Sequence, residues 1–305
     1  MRKTVTVVVV LILLFGGLLL LLVNRERISF YVNLLKAYQL GQRFFQGYEH
    51  LARDIPFNPQ KEVRLDVYSP AEGSGHPVLF FVHGGGWKDY DKKLFAPVAQ
   101  KLLPAGMVVV IPDYTLYPGA GYEQMADEVA AALSWTLDHI QEYGGDPQRV
   151  VVAGHSAGGH LGGLAVMDPR YLAAYGHQGS QVCGLIGMSG VYNVQAEYDH
   201  WLQRGTTPEV ILGVMGGLEN FERASPIHYV RPDLPAVLVL HGAQDETVPV
   251  SIGIEFEQAL RAAGAPVELR IYEDAGHSDY LFAALTADDS PLVQDIVGFV
   301  RRCTG

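Results

Sequence analysis

The stretch RVVVAGHSAGGHLGGLAVM, residues 149–167, reads as a strand that turns sharply into a helix. Its start is a run of β-branched residues, as strands prefer, and its remainder is helical in pattern. Ser156 stands at the turn, with Gly154 two residues before it and Gly158 two after. A serine on such an elbow is held in a strained conformation, so its close neighbours must be small; Ala157 and Gly159 add to that. The same turn sets Ser156 at a helix N-terminus, where backbone N–H groups and the helix dipole favour a developing negative charge. Glycines placed only for tight helix–strand packing are the competing explanation of the spacing.

Around this elbow, short apolar runs alternate with helical stretches. VRLDVYSP alternates as a half-exposed strand does. PVLFFVHG, GMVVVIPDY, CGLIGMSG, PAVLVLHG and PVELRIYE are near-continuous and rich in β-branched residues. Such runs suit parallel strands covered on both faces. Helices are expected near 92–103, 122–142, 157–167, 251–263 and 290–302, the last opened by Ser290 and Pro291. The order is that of an α/β protein with a mostly parallel sheet and helices on both faces. One connection, residues 191–232, is long enough to carry helices of its own and is expected to form a lid.

Serine is a poor nucleophile at neutral pH and needs a base, for which histidine is the natural choice. Of eleven histidines, His277 follows the final strand in a loop, YEDAGHSDY, and is the preferred base. His241 ends a strand and reads as structural, and His83 as a loop brace. The base needs a carboxylate to fix its tautomer. Asp245, in LHGAQDETVP, follows the preceding strand. Glu246, Asp274 and Asp279 are rivals, Glu246 the serious one. An oxyanion needs N–H donors set in advance. FFVHGGGW, residues 80–87, follows a strand, and its glycines can aim consecutive N–H groups into a cleft. Gly85, Gly86 and Ala157 are the expected donors. A phosphate-binding reading fails because no Gly-Lys-Ser/Thr follows.

HGGGW, PDYTLYP, GGDPQRVVVAGHSAGG, HGAQDETVP and DAGHSDY together resemble the hormone-sensitive-lipase-like branch of the α/β-hydrolase esterases. IQEYGGDP, SGVYNV and the DHWLQRG, VMGG and ASP segments of the long connection are similar to isoprenylcysteine methylesterases and related bacterial esterases. The resemblance implies an α/β-hydrolase fold and carboxylic ester hydrolysis without a cofactor or metal. Ser156 would be nucleophile, His277 base and Asp245 acid. His155 departs from the pattern: the lipase branch often has Asp there and the methylesterases Gln. A small amphipathic ester is the expected substrate, with a prenylcysteine methyl ester, an amide or a peptide as alternatives. Trp87, Tyr114, Tyr117, Trp201, Ile211 and Met215 are candidates to line its pocket, though large apolar residues are more often ordinary core.

The 305 residues suffice for one large domain, and the formal charge of −11 argues against a nucleic-acid partner. Two cysteines, Cys183 and Cys303, make no disulfide framework. Residues 5–23, VTVVVVLILLFGGLLLLLV, carry no charge. This is long enough to span a bilayer, and it lacks the small-residue cleavage site of a signal peptide. The division expected is a tail at 1–4, a transmembrane anchor at 5–23, an amphipathic helical linker or lid at 24–56, broken near Gly41, and a catalytic domain at 57–305. Ile28, Tyr31, Leu35, Tyr38, Phe45 and Tyr48 recur at helical spacing in the linker. Basic residues flank both ends of the anchor, so its orientation is not set.

Overall fold

Runs of valine and isoleucine form the centre of the molecule because only a sheet covered on both faces can bury them all. The computed structural model describes residues 25–58 and 62–305. In it, eight strands form one sheet in the order β1-β2-β4-β3-β5-β6-β7-β8. They are β1 (Leu51–Pro56), β2 (Arg64–Tyr68), β3 (His76–Val82), β4 (Val108–Pro112), β5 (Gly145–His155), β6 (Gly184–Met188), β7 (Ala236–Gly242) and β8 (Val267–Tyr272). β1 and β2 add antiparallel at one edge, and all other neighbours run parallel.

Alternation along each strand divides the core in two. Val78, Phe80, Val82, Val150 and Val152 face one side. There they meet α3 (Tyr122–His139), α4 (Ala157–Met167) and α8 (Val250–Ala262). Leu79, Phe81, Val151 and Ala153 face the other. They pack with α2 (Ala96–Leu102), α9 (Asp279–Thr286) and α10 (Pro291–Thr304). A short α5 (Pro169–Ala173) follows α4.

The strand ends are level where function is expected. Val82 pairs with Gly154, His155 with Met188, Met188 with Leu240, and Gly242 with Tyr272. The loops that leave β3, β5, β7 and β8 therefore meet along one rim, the carboxyl edge where parallel α/β sheets bind ligands.

The long connection between β6 and β7 holds α6 (Val194–Gln203), α7 (Glu209–Met215) and two 3-10 turns, at Leu218–Asn220 and Pro226–Tyr229.

The N-terminal segment differs from expectation. Helix α1 (Arg25–Gly47) runs through Gly41 without a break. Gly41 lies against Pro97, where a larger side chain would crowd the proline ring, so the glycine serves close approach and not a kink. Residues 51–56, expected within the helical linker, are β1 instead, because pairing with β2 satisfies their backbone. The sheet thus begins before residue 57. Of the residues expected on one helical face, Phe45 is buried while Tyr31, Leu35 and Tyr38 are exposed. The anchor expected at 5–23 lies outside the described residues, and among those described no helix is long and apolar enough to cross a membrane.

Candidate active site

Ser156 stands between β5 and α4, as the N-cap of the helix, with φ 54° and ψ −122°, a backbone conformation that non-glycine residues adopt only under constraint. The constraint is packing. Gly158 lies so close to the Val82 carbonyl that any Cβ would collide with it. The Ser156 N–H donates to the Met188 carbonyl at 2.9 Å, fixing the elbow to the neighbouring strand.

Three loops deliver three side chains to this elbow. The Ser156 hydroxyl lies 2.8 Å from Nε2 of His277. Nδ1 of His277 lies 2.8 Å from Oδ2 of Asp245. Asp245 follows β7 and His277 follows β8, so adjacent strands supply acid and imidazole. Oδ1 of Asp245 accepts from the N–H groups of Thr247 and Val248 at 3.0 and 2.8 Å. Burial opposes ionisation of Asp245, but His241 and His277 outweigh it and hold the carboxyl well below the usual carboxylate range. An ionised acceptor fixes the proton of His277 on Nδ1, leaving Nε2 to accept from the serine.

Glu246, the serious rival to Asp245, does not meet the imidazole. Glu246 turns outward and pairs with Arg204 at 3.1 Å, and Asp279 lies against Gly276. His241 is the structural histidine: its Nε2 donates to the Val248 carbonyl at 2.9 Å and lies 3.3 Å from Oδ2 of Asp245.

Gly85 and Gly86 adopt φ 128° and 56°. The Gly85 carbonyl accepts from Lys88 and Asp89 at 3.2 and 2.9 Å, which curls the loop. The N–H groups of Gly85, Gly86 and Ala157 donate to no backbone or side-chain acceptor among the described residues. The loop is braced from below. His83 is buried, its Nδ1 bonded to the Gly84 carbonyl at 2.8 Å, and Tyr114 stacks on its ring at 4.5 Å. Lys92, also buried, lies 2.6 Å from Asp54 of β1 and 3.2 Å from Asp113. This joins the N-terminal edge strand to the segment after the glycines.

Two histidines escaped the sequence reading as site residues. His155 is buried, and its Nε2 donates to the carbonyl of His277 at 2.9 Å; burial and the nearby His277 push its pKa down to about 3. His160 accepts from the indole N–H of Trp87 at 3.2 Å and donates to the Ala224 carbonyl at 2.7 Å. Burial pushes it down to about 4. His160 thus connects the glycine loop, the helix after the serine and the long connection. Its position four residues after Ser156, one helical turn on, was the available signal.

Of the six pocket candidates, Trp87, Tyr114, Ile211 and Met215 are buried in the core cluster. Tyr117 and Trp201 pack against it half-buried. Trp201 donates to Glu197 at 2.9 Å. Glu197 is 3% exposed with Oε2 unpartnered, and burial pushes its pKa up to about 8. Cys183 and Cys303 are free thiols.

A family model described as BD-FAE matches residues 65–260. The chain is 30% identical to isoprenylcysteine alpha-carbonyl methylesterase ICME of Arabidopsis thaliana over 267 residues, 83% of this chain and 62% of that protein. It is 32% identical to esterase LipQ of Mycobacterium tuberculosis over 223 residues, 70% of this chain and 53% of LipQ. The chain therefore spans less than two thirds of the length of these relatives. Among solved structures it resembles a thermophilic esterase of Thermogutta terrifontis, Est2, with propionate bound: 26% identity, TM-score 0.65, covering 81% of this chain and 90% of that one. A truncated carbohydrate esterase from gut microbiota, at 21% identity and TM-score 0.71, covers 84% and 97% of the two chains and shares the fold.

Proposed function

The chain belongs to the BD-FAE family, and from that premise we propose that it is a serine hydrolase of carboxylic esters working through an acyl-enzyme. The observation that carries the reading is the unbroken line from Asp245 through His277 to the Ser156 hydroxyl, both contacts at 2.8 Å. Ser156 Oγ attacks the ester carbonyl while Nε2 of His277 takes its proton. The carbonyl oxygen becomes an oxyanion, held by the N–H groups of Gly85, Gly86 and Ala157. His277, now an imidazolium paired with ionised Asp245, passes the proton to the departing alcohol. Water then enters, gives a proton to His277, and attacks the acyl carbon. Collapse returns the proton to Ser156 and frees the acid.

A second reading narrows the ester to the methyl ester of a prenylated cysteine, and the 30% identity to ICME favours it. The uncharged stretch 5–23 supports a bilayer anchor that keeps the site near lipid.

The test is a panel of esters from acetyl to long acyl, including a prenylcysteine methyl ester, run beside Ser156→Ala. Hydrolysis and fluorophosphonate labelling are expected to vanish in the variant with its melting temperature preserved. Hydrolysis that survives the substitution assigns the activity elsewhere. Carbonate extraction of membranes carrying the full chain tests the anchor: release into the supernatant overturns it.

A further inference from the structure

Helix α1 carries two sets of apolar residues. Ala37, Gly41 and Phe45 pack on the domain. Tyr31, Leu35 and Tyr38, spaced i, i+4 and i+7, lie nearer the N-terminal end of the helix and are 65%, 56% and 50% exposed. Together with Leu34, Tyr90, Asp91 and Leu94 they line an open groove of about 540 Å³. A contiguous apolar surface of this kind on a folded domain marks a place where something binds.

The groove abuts the site just described. Its far wall is the end of the loop that carries the three glycines. Gly84, at one end of that loop, lies against the Cβ of Ser156; the Tyr90 ring, at the other, lies against Gly85. Helix α1 also packs on α9, which begins two residues after His277. So α1 packs beside both the segment that follows the glycine loop and the helix that follows the imidazole.

The shape of the groove is held and not incidental. Tyr90 sits at φ 77°, a conformation that bulky residues avoid, and remains 44% exposed. Its ring stands edge-on to Phe95 at 6.4 Å, which fixes the wall of the groove. The lining also selects the ligand. Its one acidic group, Asp91, is spent as a helix cap, accepting from the N–H groups of Lys93 and Leu94 at 3.1 and 3.3 Å. The rest of the lining is three leucines and three tyrosines, mostly hydrocarbon and aromatic surface beside the tyrosine hydroxyls, a match for the chain of an amphipathic ester.

We propose that this groove seats the hydrocarbon tail of the ester that Ser156 attacks, so that the substrate class is long-chain esters. The proposal rests on the reading of Ser156 as nucleophile. It assigns the apolar residues of α1 different work: Ala37, Gly41 and Phe45 hold the helix on the domain, and Tyr31, Leu35 and Tyr38, with Tyr90, measure the substrate.

The test uses the full chain and a fluorophosphonate with a twelve-carbon chain ending in a diazirine. The warhead bonds to Ser156, and irradiation then inserts the chain end into whatever it touches. Adducts on Tyr31, Leu35, Tyr38 or Tyr90 are the expected result. Adducts confined to α6 or α7, with Ser156 labelled, overturn the groove assignment and leave the hydrolase reading standing. No labelling at Ser156 overturns both. A second arm compares dodecanoyl and acetyl p-nitrophenyl esters, dissolved as monomers, in Leu35→Asp and Tyr38→Ser. The ratio of kcat/KM for the long ester to that for the short one is expected to fall at least tenfold. A ratio within twofold of the parent overturns the proposal. Restriction of the effect to esters presented in phosphatidylcholine vesicles would overturn it in favour of a bilayer as the occupant.

Discussion

Nε2 of His155 lies 2.9 Å from the carbonyl oxygen of His277, so the residue before the serine holds the backbone of the residue after the last strand. The two imidazole rings stand 5.0 Å apart. His155 touches neither the serine hydroxyl nor the carboxylate; it acts through the loop that presents His277. Held neutral by burial, with a pKa down to about 3, it donates this hydrogen bond throughout the working pH range and adds no charge beside the imidazolium.

His155→Gln keeps an N–H donor, and its kcat is expected to stay within about threefold of the parent. His155→Leu leaves the His277 carbonyl without its donor, and kcat is expected to fall roughly 10- to 100-fold with KM nearly unchanged. Steady-state kinetics on a soluble ester separate the two cases. Equal behaviour of the two variants would mean that the bond does not position the base.

Asp245→Asn is expected to lower kcat about a thousandfold or more, because an amide no longer fixes the proton on Nδ1 of His277. Glu246→Gln removes only an exposed pairing with Arg204, worth ~0–1 kcal/mol, and activity is expected to stay within about twofold. Reversal of this order would move the acid to Glu246.

Glu197→Gln addresses stability across pH. The folded pKa of Glu197 is raised to about 8, above that of a free glutamate, so the folded state binds a proton that the unfolded state has lost. Stability from this group therefore falls as pH rises from about 4.5 to about 8, where the buried carboxyl must ionise. The glutamine variant is neutral throughout. Its melting temperature is expected to exceed the parent's by several degrees at pH 8 and to match it near pH 5. Parallel curves would place the titration outside this range.

Trp87→Phe deletes the indole donor to buried His160. Leaving a buried acceptor unpaired costs about 1–3 kcal/mol, measurable by urea denaturation. Because Trp87 closes the glycine loop, kcat is also expected to drop. Loss of stability with kcat unchanged would separate this bond from the oxyanion donors.

Much of this site was readable from residue order. The elbow at Ser156, the three glycines before Trp87, and a carboxylate and an imidazole each after a strand are local patterns, since each depends on a strand ending at a fixed residue. The contacts of His155 and His160 were not readable, because their partners, His277 and Ala224, lie 122 and 64 residues away. Nothing local distinguishes such histidines from ordinary core. The N-terminal segment misled for a different reason. Tyr31, Leu35, Tyr38 and Phe45 share one helical period, yet Phe45 is buried and the others are exposed; periodicity reports apolar faces and not what covers them. Residues 51–56 were missed as a strand because edge pairing, not composition, decides their conformation.

β6 and β7 are hydrogen-bonded neighbours, although some 45 residues separate them in the chain. The pairing of β6 with β7 does not run through that excursion, which makes it a natural place for an engineer to vary the chain. The freedom has conditions, because the excursion is tied to the rest of the domain. The Ala224 carbonyl receives His160, and His200 donates to the Glu246 carbonyl beside the acid. A graft that omits either would leave an orphan histidine or an unmoored loop at Asp245, so a successful swap must carry these attachment points with it, along with pairs such as Arg204–Glu246.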